Sequence, residues 1–257
     1  AIEAACWIAI SRADRVILAG DHCQLPPTIK CIEAARGGLG RTLLEKVVLH
    51  KPETVSLLKI QYRMHEDIMR FPSRWFYHDE LEAAPEVKYR GVLDFDTPAS
   101  WIDTSELDLQ EKAVAEGTGR LNTGEAELLV RELKNYMERI GIRRILEEHI
   151  DFGVISPYRA QVHYLRHLLK KEPFFRPCRR LITVHTVDGF QGQERDVIMI
   201  SLVRANEKGQ IGFLRDLRRM NVAITRARMK LLILGEAVTL TRHPFYRELY
   251  EYIGGLR

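Results

Sequence analysis

Short apolar runs rich in β-branched residues alternate with amphipathic helical segments through the second half of the chain. Short continuous apolar runs are typical of strands buried on both faces, whereas apolar residues three and four positions apart are typical of helices. Alternation of this kind predicts a doubly wound α/β fold, with a mostly parallel sheet and helices on both faces. The predicted strands lie at 152–156, 181–184, 197–203 and 230–234, and the predicted helices at 159–171 and about 217–227.

The first half of the chain carries weaker patterns of the same kind. Short apolar runs predict further strands at 16–19, 55–60, 92–95 and 101–103. Helical spacing predicts helices at 42–49 and 64–75, the second interrupted near Pro72. Residues 104–121 are polar and are expected to be mobile. Asn122 and Glu125 form an N-x-x-E variant of the capping box, which predicts a further helix beginning there.

The composition allows a folded core and excludes several classes of protein. With 257 residues and 46% apolar side chains, the chain is long enough to bury a proper core, and we expect one large domain or one and a half. No apolar run approaches the roughly 18 residues of a membrane span, and no signal peptide is recognisable. We therefore expect a soluble, intracellular protein, cytoplasmic or nuclear, without a membrane partner. The four cysteines form no C-x-x-C pair, so we expect reduced thiols and no metal site.

Charge is distributed unevenly although the total is small. The net charge of +4, from 39 basic and 35 acidic residues, is too slight to indicate nucleic-acid binding by global attraction. Between Arg215 and Lys230, however, six basic residues accompany a single acid, Asp216. Such a run is usually a solvated helix face, and charge alone does not indicate more.

The first polar segment that could carry chemistry comes directly after the strand predicted at 16–19. It reads G-D-H-C-Q-L-P-P from Gly20. Open α/β sheets keep their sites at the carboxyl ends of strands, where Asp21 and Gln24 could reach a nucleotide phosphate, its magnesium ion or an attacking water. A polar turn stiffened by two prolines explains the segment about equally well.

A second polar segment, Q-Y-R-M-H, begins at Gln61 after another predicted strand. The guanidinium group of Arg63 could make a bidentate contact with a phosphate. An ordinary surface arginine at the start of a helix is mildly unfavourable, because a cation there opposes the helix dipole. The position therefore favours an anion-binding role for Arg63.

The third segment lies between two predicted strands and is rich in polar groups. It reads T-V-H-T-V-D-G-F-Q-G-Q-E from Thr183 to Glu194. Glycines let backbone N–H groups approach an oxyanion, hydroxyls can bind phosphates, and a carboxylate can accept from a ribose hydroxyl. A purely structural loop of this length would rarely need so many polar groups.

The fourth segment, R-R-M-N-V-A-I-T-R-A-R from Arg218, predicts an amphipathic helix with arginines at both ends. An arginine presented to a γ-phosphate stabilises the charge that develops in phosphoryl transfer. Taken alone, a basic surface helix is the simpler explanation.

Five motifs stand in a fixed order over about 210 residues. They are G-D-x-x-Q-L-P-P, Q-Y-R-M-H, S-P-Y-R-A-Q, V-D-G-F-Q-G-Q-E-R-D and R-R-M-N-V-A-I-T-R-A-R. In this order they resemble the later motifs of superfamily 1 helicases, most closely the branch that contains the nonsense-mediated-decay RNA helicase and senataxin. The resemblance covers nearly the whole chain and implies a RecA-like P-loop NTPase fold. It implies that residues 1–50 end a first RecA-like domain and that residues 51–257 form the second.

The resemblance also implies an ATP-driven motor that uses Mg²⁺ and moves 5′ to 3′ along single-stranded DNA or RNA, in partnership with its own N-terminal RecA-like domain. Gln24 would sense the γ-phosphate and the attacking water, and Arg63 and Arg226 would contact the γ-phosphate. Asp21 would couple the phosphate site to the nucleic-acid track, and Glu194 would bind the ribose. The implied ATP-binding residues are Asp21, Gln24, Arg63, Gly192, Glu194 and Arg226, of which Gln24, Arg63 and Arg226 are catalytic. The implied strand contacts are Pro26, Pro157, Tyr158, His185 and Thr186.

The sequence departs from the family in the phosphate-binding loop. No G-x-x-x-x-G-K-[ST] segment is present, because the glycine-rich residues 37–42 lack both the lysine and the spacing. The acidic magnesium motif of the family is also absent, so we expect the Mg²⁺ ligands to lie largely in an upstream part of a longer protein. The chain alone is therefore expected to hydrolyse ATP poorly or not at all.

Two other functions compete with the motor. A nucleic-acid-binding module that has kept the fold but lost ATP turnover would have no use for a γ-phosphate sensor, and the intact sensor and arginines argue against it. A different P-loop NTPase, such as a DNA-repair or restriction ATPase, is disfavoured by Q-Y-R-M-H and T-R-A-R in this order. The sequence does not distinguish RNA from DNA, because these motifs are expected to contact phosphates and stacked bases more than the sugar.

Overall fold

The computed structural model describes residues 2–27, 29, 31–114 and 119–256. The chain divides into two compact units, Ala1–Leu58 and Lys59–Arg257. The α-helices in the described ranges are α1 (Glu3–Ile10), α2 (Ile32–Ala34), α3 (Leu43–His50), α4 (Glu66–Phe76), α5 (Thr123–Ile140), α6 (Ile142–Glu147), α7 (Arg159–Lys171), α8 (Leu217–Ile224), α9 (Ala237–Leu240) and α10 (Pro244–Gly254). The strands there are β1 (Ile60–Gln61), β2 (Glu82–Ala83), β3 (Ala99–Asp103), β4 (Lys112–Ala113), β5 (Arg120–Leu121), β6 (Phe152–Ser156), β7 (Ile182–Thr186), β8 (Arg195–Ser201) and β9 (Ala227–Gly235). None of the helices described is both long enough and apolar enough to cross a membrane.

The first unit contains α1 to α3. The Thr42 side chain accepts a hydrogen bond from the backbone N–H of Glu45 at 3.1 Å, and the Glu45 carboxylate accepts one from the N–H of Thr42 at 2.6 Å. This reciprocal capping satisfies two N–H groups that would otherwise lack partners and starts α3. The helix predicted at 42–49 is confirmed.

The strand predicted at 16–19 is wrong. These residues belong to no strand, and the Ile17 side chain is 87% exposed. A strand is stabilised by hydrogen bonds to a neighbouring strand. The described part of the first unit contains no other strand with which this segment could pair.

The second unit is organised around a five-stranded sheet. The strand order is β3-β9-β8-β6-β7, and each neighbouring pair is parallel. The five strands overlap those predicted at 101–103, 152–156, 181–184, 197–203 and 230–234. The predicted α/β fold with a mostly parallel sheet is confirmed.

Helices cover both faces of this sheet. Val154, Met199 and Leu232 belong to one buried apolar cluster together with residues of α5 and α7. Ile155 and Ile200 are also fully buried, and they point to the other face because successive side chains of a strand alternate in direction. There α4 and α8 contact β9. Burial on both faces explains why the strands read as continuous apolar runs.

The helix predicted at 64–75 exists, but it is not interrupted. α4 continues through Pro72, which lies inside the helix. The preceding Phe71 is 2% exposed, and its ring lies 5.2 Å from that of Phe245 between centroids. Tertiary packing of this kind offsets the hydrogen bond that the proline cannot donate.

Two predicted strands need correction. Of residues 55–60 only Ile60 lies in a strand, because β1 pairs with β2 over only two residues. Residues 92–95 contain no strand. Phe95 has a φ of 60°, which an extended strand cannot adopt, and its side chain is fully exposed.

The polar tract at 104–121 contains an antiparallel pair formed by β4 and β5. Residues 115–118 of the tract lie outside the described residues. The predicted mobility of the tract therefore stays a prediction.

The helix predicted from Asn122 is confirmed as α5, but its capping differs from the prediction. Asn122 Oδ1 accepts from the N–H of Glu125 at 3.0 Å. The Glu125 side chain does not return to Asn122, because it accepts from Ser201 Oγ at 2.6 Å and from the N–H of Val203 at 2.9 Å. The N–H of Asn122 donates instead to Gln161 Oε1 at 2.9 Å. The reciprocal box is therefore only half formed, and Glu125 connects α5 to the end of β8.

Candidate functional site

Charged residues gather at the amino edge of the sheet, where its parallel strands begin. Asp151, Glu194 and Arg226 each stand directly before a strand, namely β6, β8 and β9. These three strands are adjacent and parallel, so the three residues lie at one edge of the sheet. Glu194 and Arg226 are two of the implied ATP-binding residues.

Arg63 reaches this edge from the loop before α4. Its Nε forms an ion pair with the Glu194 carboxylate, and its Nη1 donates to the carbonyl of Thr225 at 3.1 Å. The Gln61 side chain fixes the loop, because its Oε1 accepts from the N–H of Arg63 at 2.8 Å and from that of Met64 at 2.7 Å. The arginine of the second motif and the glutamate of the third are therefore in direct contact.

Arg226 is held at the same place and is only 3% exposed. Its Nε donates to the carbonyl of Val222 at 3.0 Å, and its Nη1 donates to that of Gln193 at 3.1 Å. Its Nη2 donates to Thr225 Oγ1 at 3.4 Å. Since the carbonyl of the same threonine accepts from Arg63, Thr225 connects the two implied catalytic arginines.

Two further arginines that the motifs did not assign stand at this edge. Arg228 Nη1 lies 3.6 Å from Glu194 Oε1, and Arg228 Nη2 lies 2.7 Å from Asp196 Oδ1. Arg90 donates through Nη2 to the carbonyl of Arg63. Arg228 is the last residue of the fourth motif and could have been assigned from that position, whereas Arg90 lies in a stretch without a recognisable motif.

The charges of this edge favour an anion. Burial raises the pKa of Glu194, but the hydrogen bond and charge of Arg63, helped by Arg228, outweigh burial and hold this pKa below its ordinary value. Burial lowers the pKa of Arg90, and the neighbouring charge of Arg228 lowers it further. Several guanidinium groups around one carboxylate fit a phosphate group. The acids here are paired with arginines and do not fit a magnesium site.

Three of the residues that the resemblance implies for nucleic-acid binding lie at the opposite, carboxyl edge of the sheet. Pro157 follows β6, and His185 and Thr186 end the adjacent strand β7. Thr186 Oγ1 accepts from the N–H of Gly189 at 3.4 Å. A Cβ at Gly189 would lie 1.7 Å from His185 Nδ1, so the close approach of this backbone requires glycine.

One short segment joins the two edges. It leaves β7 after Thr186 and reaches β8 at Glu194. Within it Gly192 has a φ of 80°, a left-handed conformation that favours glycine. Only a few residues therefore separate the residues implied to bind the nucleic acid from those implied to bind the nucleotide.

Tyr158 differs from the other implied strand contacts, because its side chain is 2% exposed. Its hydroxyl accepts from Arg204 Nη1 at 3.3 Å, and its ring lies 5.6 Å from that of Phe213 between centroids. The ring is therefore covered by protein and offers no face to a base in this conformation.

The first motif forms a compact turn in the first unit. Asp21 Oδ1 accepts from the N–H of Cys23 at 2.9 Å, and Gln24 Nε2 donates to Asp21 Oδ2 at 2.7 Å. Pro26, the remaining implied residue of this motif, is half-buried. Asp21 and Gln24 are therefore held side by side by a local turn.

Comparisons with known proteins agree with the motifs. A family model described as an AAA domain matches residues 39–238, and a second model with the same description matches residues 1–31. DNA-binding protein SMUBP-2 of Rattus norvegicus is 37% identical over 98% of this chain and 25% of its own length. The DNA polymerase alpha-associated DNA helicase A of Saccharomyces cerevisiae is 38% identical over 94% of this chain and 38% of its own. A regulator of nonsense transcripts 1 homolog of Drosophila melanogaster is 35% identical over 93% of this chain and 20% of its own length.

These matches extend over nearly all of the chain, which spans about a quarter of the length of the SMUBP-2 relative. The larger family match covers well over half of the chain and takes in the arginines and the glutamate of the amino edge. The order of the motifs and the parallel sheet agree with it. The chain belongs to the AAA-domain family, in the branch of superfamily 1 helicases that contains the nonsense-mediated-decay helicase and senataxin.

Proposed function

We propose that this chain is the C-terminal motor part of an ATP-dependent helicase that moves 5′ to 3′ along single-stranded DNA or RNA. The observation that carries the proposal is the arrangement of Arg63 and Arg226, which share Thr225 beside Glu194. The first unit would end one RecA-like domain, and the second unit would form the other. The relatives support a motor, since the yeast protein is named a DNA helicase.

Four arginines gather at the amino edge of the sheet, and we call them the arginine cluster: Arg63, Arg90, Arg226 and Arg228. This cluster suits the phosphate end of ATP. Bound ATP supplies the phosphoryl group whose transfer to water drives the motor. Arg63 and Arg226 would stabilise the negative charge that develops on the γ-phosphate, and Glu194 would accept a hydrogen bond from the ribose. Because Arg63 is paired with Glu194 in this structure, the arginine would exchange this carboxylate for the phosphate when nucleotide binds.

In the first unit, Gln24 and Asp21 would take the roles that the resemblance implies. Gln24 would contact the γ-phosphate and the attacking water, and Asp21, which accepts from its side chain at 2.7 Å, would hold the amide in place. The magnesium ion that accompanies ATP would take its ligands elsewhere, since the acids of the arginine cluster are paired.

The carboxyl edge of the sheet would bind the single-stranded nucleic acid. His185 and Thr186 end β7 there, Pro157 directly follows the adjacent strand β6, and the Thr186 hydroxyl suits a phosphate oxygen. Pro26 would add a contact from the first unit. DNA and RNA are both candidates, because one relative is named a DNA-binding protein and another a regulator of nonsense transcripts.

The test is ATP hydrolysis by the natural full-length protein, measured without a strand, with single-stranded RNA and with single-stranded DNA. A strand should stimulate hydrolysis, and Arg226→Ala should lower the stimulated rate about a thousandfold, as expected for an arginine that acts on the γ-phosphate. Arg247→Ala changes an exposed arginine on α10 and should leave the rate unchanged. Strand binding without hydrolysis by the wild type would instead support a nucleic-acid-binding module without ATP turnover.

A further inference from the structure

The chain turns sharply where β8 ends. The N–H of Arg204 donates to the carbonyl of Leu202 at 2.8 Å, so three residues form a γ-turn. Its central residue, Val203, has a φ of 71°. A β-branched side chain at positive φ is strained, and such strain persists only where surrounding groups hold the backbone. The structure must therefore contain groups that keep this turn closed.

Two side chains at the start of α5 hold the turn from both sides. Glu125 Oε1 accepts from the N–H of Val203 at 2.9 Å, and Asn122 Nδ2 donates to the Val203 carbonyl at 3.4 Å. All three residues are 0% exposed. Water cannot replace these hydrogen bonds, so losing one of them would leave a buried polar group of the turn without a partner.

A closed ring of hydrogen bonds fixes these two side chains. Ser201 Oγ donates to Glu125 Oε1 at 2.6 Å and accepts from Gln161 Nε2 at 3.0 Å. Gln161 Oε1 accepts from the N–H of Asn122 at 2.9 Å, and Asn122 Oδ1 accepts from the N–H of Glu125 at 3.0 Å. The ring ties α5, α7 and β8 together and holds the side chains of Glu125 and Asn122 in one arrangement, although the second carboxylate oxygen of Glu125, Oε2, is buried without a hydrogen-bond partner among the described residues.

The γ-turn directs Arg204 towards the segment that follows β6. Arg204 is 4% exposed, donates through Nη1 to the Tyr158 hydroxyl at 3.3 Å and through Nε to Glu111 Oε2 at 2.6 Å. A Cβ at Gly212 would lie 2.2 Å from Arg204 Nη1 and 2.9 Å from the Tyr158 hydroxyl, so the space beside this pair is filled. Because Tyr158 directly follows Pro157, the position of Arg204 fixes the backbone that carries Pro157.

We propose that Glu125 is a positioning residue for the binding of a single-stranded nucleic acid, an inference that rests on the function proposed above. Its carboxyl group keeps the γ-turn closed by accepting from the N–H of Val203. The closed turn keeps Arg204 against Tyr158, and this contact keeps Pro157 in place at the carboxyl edge. Glu125 itself contacts neither the strand nor the nucleotide.

The test compares two affinities of the natural full-length protein, one for a fluorescein-labelled single strand and one for a fluorescent ATP analogue. Glu125→Ala removes the group that keeps the strained turn at Val203 closed, and it should therefore weaken strand binding roughly tenfold or more. Its affinity for the ATP analogue, which would bind at the opposite edge, should not change. Glu125→Gln keeps a carbonyl oxygen and should bind the strand like the wild type.

A second substitution separates positioning from support of the fold. Glycine adopts a positive φ without strain, so Val203→Gly removes the need to hold the turn. The double variant Glu125→Ala, Val203→Gly should therefore recover most of the strand affinity that Glu125→Ala loses. If Glu125 only supported the fold, loss of the buried valine side chain would make the double variant worse than the single one.

Each outcome bears on the proposal. Strand affinity at the wild-type level in Glu125→Ala would overturn it, and so would a double variant that binds no better than the single one. A wild type that binds no strand would refute the proposed function and this inference with it. If the wild type binds the strand normally and one of these contrary results is obtained with the variants, only the inference fails and the proposed function stands.

Discussion

Glu125 should make the protein less stable as the pH rises, and the size of the effect follows from its burial. Burial raises the pKa of Glu125 most strongly, and the carboxylate of Glu236 adds to this, whereas hydrogen bonds from Ser201 and Val203 act in the opposite direction. The net result is a pKa of about 7 in place of the ordinary 4.5. Between these values the folded protein keeps a proton that the unfolded chain has released.

The sign follows from this difference in bound protons. The stabilisation is fully present below pH 4.5 and is lost as the pH rises through about 7. Each pH unit in that window is worth about 1.4 kcal/mol, so the free energy of unfolding should fall by roughly 3 kcal/mol in total. Glu125→Gln carries no titrating proton, and at pH 8 it should be more stable than the wild type by about this amount. At pH 4.5 the two proteins should nearly coincide.

Urea unfolding at several pH values from 4.5 to 8, followed by far-ultraviolet circular dichroism, gives the two stability curves. Glu138→Gln changes an exposed glutamate on the same helix, α5, and should follow the wild type at every pH. Parallel pH dependence in the wild type and in Glu125→Gln would refute the reasoning. It would mean that Glu125 keeps an ordinary pKa in the folded protein.

Three further changes test other contacts. Gly189→Ala should weaken strand binding measured by fluorescence anisotropy, because its Cβ would lie 1.7 Å from His185 Nδ1. In the control Gly254→Ala the new Cβ meets nothing within 4 Å, so this variant should bind the strand like the wild type. Equal affinities of the two variants would contradict this prediction. Asn122→Ala removes the cap of α5 and should lower the free energy of unfolding by roughly 2 kcal/mol. A urea midpoint at the wild-type value would count against that assignment. Arg63→Ala should lower strand-stimulated ATP hydrolysis about a thousandfold, and an unchanged rate would remove Arg63 from the catalytic residues.

The strands of the second unit could be predicted because both of their faces are covered. β6 and α7 have the predicted bounds, since residues 152–156 are all buried and Pro157 separates the strand from the helix. The run at 16–19 is just as apolar, yet no described strand of its unit pairs with it. An apolar pattern shows that a segment can be buried, but not whether a partner strand is present.

The candidate site could be predicted only as far as its motifs extend. Arg63 and Glu194 each stand in a recognisable motif, but their ion pair joins positions 131 residues apart. Glu125 was predicted to cap α5 because N-x-x-E is a local pattern, whereas its observed partner Val203 lies 78 residues away. Arg90 had no local pattern at all. Local spacing indicates which side chains can bind, and the tertiary fold decides between the partners that compete for them.

The most direct test of the motor is strand displacement by the natural full-length protein with ATP, on duplexes that carry either a 5′ or a 3′ single-stranded tail. The account predicts displacement from the 5′-tailed duplex, with little from the 3′-tailed one, and loss of this activity in Arg226→Ala. Both DNA and RNA tails should be used, so that the preferred strand is identified in the same assay. No ATP-dependent displacement from any of these duplexes would contradict the claim that this chain is part of a helicase motor.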